Sequence, residues 1–375
     1  MYSIADYRDM IEDPVRASAY QRALQEAIRP GSSVIELGTG VGYFAIVACR
    51  AGAERVVAIE PDPAIHLAAQ LARANGCADR VHFIQDLSTR VQVEPAEVVV
   101  SDLRGVLPLH GMHLPSIVDA RQRLLKPGGA LIPARDTLWV ALVGSRTEPE
   151  IERRMAEPPI DLLLLDQAIT NTWWKVRLKG EELLSAPCAW HTIDYHTIEG
   201  PDVAGTVELV VNRTDLVRGL GVWFDTDLHG GIGFSNAPGA PPVLYGQAYF
   251  PLPEPLPVEA GDRVSVQLRG TLVGSGYVWS WRGRVVHGAA AGRAFAQSTL
   301  QGTPLAASVL RKRADVFVPR LGRTGEAQAW MLGRMGASAS LRVIAEEALL
   351  AFPDLFPDVR HALRHVGDLS ERFSE

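Results

Sequence analysis

The residues best suited to chemistry cluster in the first third of the chain. Glu36-Leu-Gly38-Thr39-Gly40-Val-Gly42 follows an apolar run and precedes a helical stretch. Glycines at such a turn let the backbone approach a ligand closely with φ above zero, and the helix that follows offers its positive end. The spacing is GxGxG in place of GxGxxG, and Tyr43 stands where a dinucleotide fold wants its third glycine. A pyrophosphate is therefore disfavoured and a nucleoside without phosphates fits better. Glu60 ends the next apolar run, in VVAIEPD, where a carboxylate can accept both hydroxyls of a ribose. Asp86-Leu87-Ser88 follows the third run, where an adenine edge would be read. Asp102, Arg104 and His110 share the loop after the fourth run. Asp102 and His110 suit a base and an orienting group for a nitrogen or oxygen nucleophile, and Arg104 suits a substrate carboxylate.

The elements that must position these groups are legible in outline. From Ser33 to about Val143, β-rich runs (SVIEL, RVVAIE, VHFIQ, EVVVSD, ALIP, TLWVALV) alternate with helical stretches at 43–51, 62–75 and 113–125. That alternation predicts a parallel α/β sheet. Residues 1–30 read as a leading helical arm that stops at Pro30-Gly31. After Val143, segments such as GTVELVV, GLGVWFD, LYGQAYF, DRVSVQL and GYVWSW, separated by Gly and Pro, predict an antiparallel barrel or sandwich. The small-residue run at 287–297 reads as a hinge, followed by helices at 324–334 and 341–351, the second capped by Ser340, and an amphipathic end, VRHALRHVGDLSERF. The expected divisions are a helical arm over 1–30, a Rossmann-like domain over 31–143, a β-barrel domain over 144–298 and a helical domain over 299–375.

Composition narrows the function classes. The 375 residues suffice for two to three domains with a sizeable core. No window approaches 18 consecutive apolar residues, which excludes a helical membrane span, and the start MYSIADYRDM has no secretory character, so a cytoplasmic protein is expected. A net charge of −6 argues against nucleic acid or an anionic membrane as the main partner. The three cysteines, Cys49, Cys77 and Cys188, are odd in number and far apart, which predicts a reducing compartment with no structural zinc. The histidines show no ligand spacing, so no metal is expected.

Taken together, the segment 34–132 resembles the class I S-adenosylmethionine-dependent methyltransferases and, within them, the protein arginine methyltransferases. Met10-Ile-Glu-Asp13-Pro-Val-Arg16-Ala-Ser-Ala-Tyr20 resembles that family's leading helix, which implies that Arg16 holds the cofactor carboxylate. Gly221-Val-Trp-Phe-Asp225, Gly233-Phe-Ser-Asn-Ala-Pro238 and Gln247-Ala-Tyr-Phe follow the family's barrel segments in order. The resemblance implies S-adenosylmethionine as cofactor, bound by Met10, Arg16, Glu36, Gly38, Thr39, Gly40, Gly42, Glu60, Pro61, Asp86, Leu87, Ser88 and Asp102. It also implies a homodimer, with LLLLDQ at 162–167 as the sticky element of the family's dimer arm.

The departures fall on the substrate side. The family holds a guanidinium between two glutamates, because a planar fork of donors is met best by paired carboxylates. Here Asp102 occupies the first position and the second falls on Gly111, beside His110; the Thr-His-Trp loop reads Val243-Leu244-Tyr245, which brings Tyr245 into the candidate catalytic set with Asp102, Arg104 and His110. The expected reaction is methyl transfer to a nitrogen of a peptide or small natural product. O-methylation of a carboxylate or hydroxyl and a decayed cofactor-binding scaffold are the alternatives. Residues from about 314 resemble the winged-helix peptide-binding domains of the PqqD type, which would add a leader peptide to a sheet edge; the alternative is a helical appendage.

Overall fold

The computed structural model describes residues 2–144, 160–288, 291–336 and 339–374. The chain divides into two compact units, Met1–Thr303 and Pro304–Glu375.

The first unit opens with helices α1 (Ile4–Glu12) and α2 (Pro14–Ala27). The arm is thus two helices and not the single one expected, because Asp13 ends α1 in extended conformation and caps α2, accepting from the Arg16 N–H, with Pro14 at the first helical position. Then come β1 (Ser33–Leu37), α3 (Tyr43–Arg50), β2 (Arg55–Ile59), α4 (Ile65–Ala74), β3 (Val81–Ile84), β4 (Ala96–Ser101), α5 (His113–Arg123) and β5 (Leu125–Ile132). The strands form a parallel sheet in the order β3-β2-β1-β4-β5. Their near-continuous apolar runs are what a sheet covered on both faces requires.

The run TLWVALV does not extend that sheet. It forms β6 (Arg135–Val143), which pairs antiparallel with β8 and β10. The antiparallel part comprises β6, α6 (Leu163–Thr170), β7 (Trp174–Val176), β8 (Cys188–Asp194), β9 (Val203–Val210), β10 (Asp215–His229), β11 (Ile232–Ser235), β12 (Gln247–Val258), β13 (Arg263–Val273), β14 (Gly276–His287) and β15 (Ala294–Ser298). One sheet runs β7-β12-β10-β6-β8 with β11 beside β10, and the other runs β15-β14-β13-β9. The expected hinge at 287–297 is corrected here, since Ala294–Ser298 is an edge strand paired with β14. A short helix α7 (Thr299–Gly302) closes the unit. One hydrophobic core joins the parallel sheet to both antiparallel sheets through residues such as Leu24, Ile35, Val99, Leu138, Phe224 and Trp281. That continuity makes the two sheet systems a single unit.

Cys49, in α3, and Cys77, after α4, are joined as a disulfide with Cα atoms 6.2 Å apart, a pairing at odds with the reducing compartment expected from their number and spacing. The winding of α3 and α4 over one face brings together residues 28 apart in sequence. The second unit contains α8 (Ala307–Lys312), which buries no residue, and α9 (Arg323–Met335), α10 (Leu341–Ala351) and α11 (Val359–Phe373) around a core of Met331, Ile344, Ala345, Ala348 and Val366. No strand occurs among its described residues, so a winged-helix hairpin is absent from them. Among the described residues no helix is long and apolar enough to cross a membrane, and no acid, histidine and cysteine group has metal-binding geometry.

Candidate active site

In the order β3-β2-β1-β4-β5 the winding reverses between β1 and β4, and in open α/β sheets that switch point leaves a crevice beyond the strand ends. A cleft of about 670 Å³ lies there. Its walls include Glu36 near the end of β1, Gly38, Thr39 and Gly40 after it, Glu60 and Pro61 after β2, and Leu87 and Ser88 after β3. The arm contributes Tyr2, Tyr7, Met10 and Arg16, while the loop after β4 and the start of α5 contribute Asp102, Leu103, Arg104, His110, Gly111, Met112, His113 and Ser116.

Most of the residues expected at the nucleoside line this cleft. Gly38 and Gly40 have φ of +69° and +53°, and a Cβ would run into Leu103 at the first and into the Tyr7 ring at the second. Glu60 is fixed by the Gly40 N–H at 2.8 Å and the Asp62 N–H at 3.0 Å, which leaves lone pairs on both oxygens for hydroxyl donors. Burial pushes the Glu36 carboxyl up to about 8, against the pull of the Thr39 hydroxyl, which donates to it at 2.6 Å. Gly42 does not line the cleft; it caps α3 at φ +86°, packed against Ala68. Asp86 is also outside the walls, its carboxylate accepting from the Leu87 N–H at 2.7 Å, so of the residues expected at the adenine Leu87 and Ser88 line the cleft.

On the acceptor side the expected roles change. Asp102 accepts from Arg16 Nε and the Tyr245 hydroxyl at 2.5 Å each and from Arg104 Nε at 3.0 Å. Burial alone would raise its pKa, but the two guanidiniums and Tyr245 outweigh it and hold the carboxyl well below the usual range. A carboxylate so satisfied is a poor general base. Arg104 is fully buried and donates further to Asp136 at 3.0 Å, Thr226 at 2.8 Å and the Tyr20 hydroxyl at 2.6 Å. It is a pillar between α2, the loop and the antiparallel sheet, and it has no fork left for a substrate carboxylate. Tyr245 is not in the cleft wall and acts behind Asp102. Arg16 also donates from Nη1 to the Met10 carbonyl at 2.9 Å, while Nη2 has no partner among the described residues. His110 is exposed in the wall.

His113 escaped the sequence reading. It begins α5, lines the cleft, and is 1% exposed. Its Nε2 bonds the Tyr195 hydroxyl at 3.0 Å, and Nδ1 is buried with no partner among the described residues, a state that costs about 1–3 kcal/mol when nothing fills it. The signal available was the spacing His110-Gly-Met-His113; what decides the role of His113 is Tyr195, 82 residues away.

Residues 20–133 match the model of the ribosomal protein L11 methyltransferases, and residues 138–271 match that of the arginine methyltransferase oligomerization subdomain. The chain is 30% identical over 267 residues to an arginine N(omega)-methyltransferase of Streptomyces achromogenes subsp. streptozoticus, covering 69% of this chain and 74% of that one. The chain belongs to the arginine methyltransferases. As a member of this family it is an S-adenosylmethionine-dependent methyltransferase. A probable protein arginine N-methyltransferase 3 of Arabidopsis thaliana is 27% identical, with 73% of this chain and 50% of that one aligned. In fold it is similar to the Trypanosoma brucei PRMT1 enzyme–prozyme heterotetramer with AdoHcy, at a TM-score of 0.72 and 19% identity over 79% of this chain and 98% of that one. Arabidopsis thaliana protein arginine methyltransferase 10 gives 0.70 and 21%, with the same coverage.

Proposed function

We propose that this arginine methyltransferase homologue moves a methyl group from S-adenosylmethionine to a nitrogen of a peptide or small natural product. The observation that carries the reading is one cleft lined on one side by the residues expected to hold a nucleoside and an amino-acid end and, on the other, by no paired carboxylates among the described residues. Glu60 takes the ribose hydroxyls, Leu87 and Ser88 flank the base, and Arg16 Nη2 takes the carboxylate. When bound, the cofactor supplies an electrophilic methyl on a sulfonium. Asp102 keeps Arg16 aimed, and Arg104 and Tyr245 keep Asp102 in place, so the chain's contribution to transfer is positioning. O-methylation of a carboxylate loses the residue that favoured it, since all three guanidinium nitrogens of Arg104 are engaged within the protein.

The test is incubation of the full chain with methyl-labelled cofactor and pools of peptides and small molecules, with fragmentation of the products. N–CH3 products are expected; a base-labile methyl ester would contradict the reading. A homodimer is proposed as well, resting on α6, where Leu163, Leu164 and Leu165 are 59%, 80% and 54% exposed; the rest of the expected arm, 145–159, lies outside the described residues. Leader-peptide capture by 299–375 would need a sheet edge, and the described part of that unit supplies helices, which favours the helical appendage.

A further inference from the structure

We propose that the methyl acceptor of this site is an uncharged group bearing an N–H, held as a donor by the bare Nδ1 of His113, and not a guanidinium cation. The inference rests on the nitrogen-methylation reading above and narrows its substrate class.

Charge is the first argument. The described acids in the cleft wall are Glu36, Glu60, Asp62 and Asp102. The first three surround the glycine turn on the nucleoside side. Asp102 alone faces the acceptor loop, and Arg16, Arg104 and Tyr245 already occupy it. Asp136, behind it, is taken by Arg104 and Tyr195. Two guanidiniums thus stand against two carboxylates, and among the described residues on this side no negative charge remains for an incoming cation, which would instead meet Arg16 and Arg104 in a poorly solvated place. Gly111 puts no side chain where a second carboxylate would be needed.

The second argument is the histidine tautomer. Burial pushes the Asp136 carboxyl up, and the permanently charged Arg104 at 3.0 Å, with the Thr226 and Tyr195 hydroxyls, opposes that push and favours the ionised acceptor. The Tyr195 hydroxyl donates to Asp136 Oδ2 at 2.5 Å and, its hydrogen used, can only accept from His113. The hydrogen of the neutral ring is therefore on Nε2, and Nδ1 carries a free lone pair. Burial, with the charge of Arg104 adding to it, pushes the ring pKa down to about 3, so it stays neutral across the working range. Such a nitrogen accepts from N–H and rejects a carbonyl or carboxylate oxygen. The acceptor nitrogen keeps its lone pair for the methyl carbon while an N–H on it, or on its ring neighbour, faces His113. The N–C bond forms as the C–S bond breaks with its electron pair left on sulfur, and the surplus N–H proton leaves to water with the product.

Calorimetric titration of the full chain saturated with S-adenosylhomocysteine tests this at about pH 8, where imidazole is uncharged. Imidazole is the neutral N–H probe and methylguanidinium the cationic one. Imidazole is expected to bind and methylguanidinium not to. His113→Gln keeps a donor for Tyr195 but places nothing at Nδ1, and should lower imidazole affinity by about tenfold or more with S-adenosylhomocysteine affinity unchanged. His113→Asn, whose side-chain oxygen replaces Nδ1, should restore part of it. Methylguanidinium binding as tightly as imidazole, no imidazole binding to the loaded wild type, or unchanged imidazole affinity in His113→Gln each overturns the proposal while leaving nitrogen methylation standing. Failure of S-adenosylhomocysteine itself to bind overturns both.

Discussion

Asp102 shows how much a residue's neighbours decide. Its type and place suggest a base, yet two guanidiniums and a phenol make it a counter-ion. Asp102→Ala would leave Arg16 and Arg104 buried with one fewer carboxylate between them, and urea denaturation should record a loss of about 3–5 kcal/mol. Glu36 gives a pH signature. Its folded pKa near 8 lies above the ordinary glutamate value of about 4.3, so the folded state binds a proton that the unfolded chain releases. Stability from this group is full below the unfolded value and is lost as pH rises toward about 8. In the cofactor-free protein, Glu36→Gln should flatten that stretch of the stability–pH curve; an unchanged slope would contradict the burial argument. The glycines, Glu36 and Glu60 were legible because turn and acid lie within a short stretch. Arg104 was not, since its partners Asp136 and Thr226 are 32 and 122 residues away and no local spacing encodes them.

Among the elements, α1 carries no buried residue, and it meets the glycine turn through Tyr7 and the cleft through Met10. Gly40→Ala would drive a Cβ into the Tyr7 ring from a left-handed backbone position, so α1 should lift from the turn. Limited proteolysis should then cut within residues 4–12 faster, with the thermal midpoint of the rest of the fold nearly unchanged. Equal protection in wild type and variant would show that Tyr7 does not depend on the glycine. The parallel strands were readable from their apolar runs and intervening helices. β6 was misplaced because TLWVALV is buried along most of its length, so its composition is that of a central parallel strand. Only its partners, β8 and β10, which come 45 residues and more later in the chain, reveal the antiparallel pairing.

At the scale of the whole molecule, the first unit joins cofactor cleft and antiparallel sheets through one core, whereas Pro304–Glu375 has a core of its own. A chain ending at Thr303 should therefore bind S-adenosylhomocysteine as the full chain does, measured by calorimetry. The two-part plan of the first unit was legible because periodicity changes where the sheet type changes, give or take one strand. The disulfide was not, because sequence distance hides the meeting of α3 and the turn after α4. The central claim is that the cleft is an S-adenosylmethionine site anchored by Glu60. The most direct measurement is titration of the full chain with S-adenosylhomocysteine, in wild type and Glu60→Ala. Micromolar binding that weakens by about tenfold to a hundredfold in the variant is predicted, the size expected for losing hydrogen bonds to a charged group. No binding by the wild type, or equal binding by both, would contradict the account.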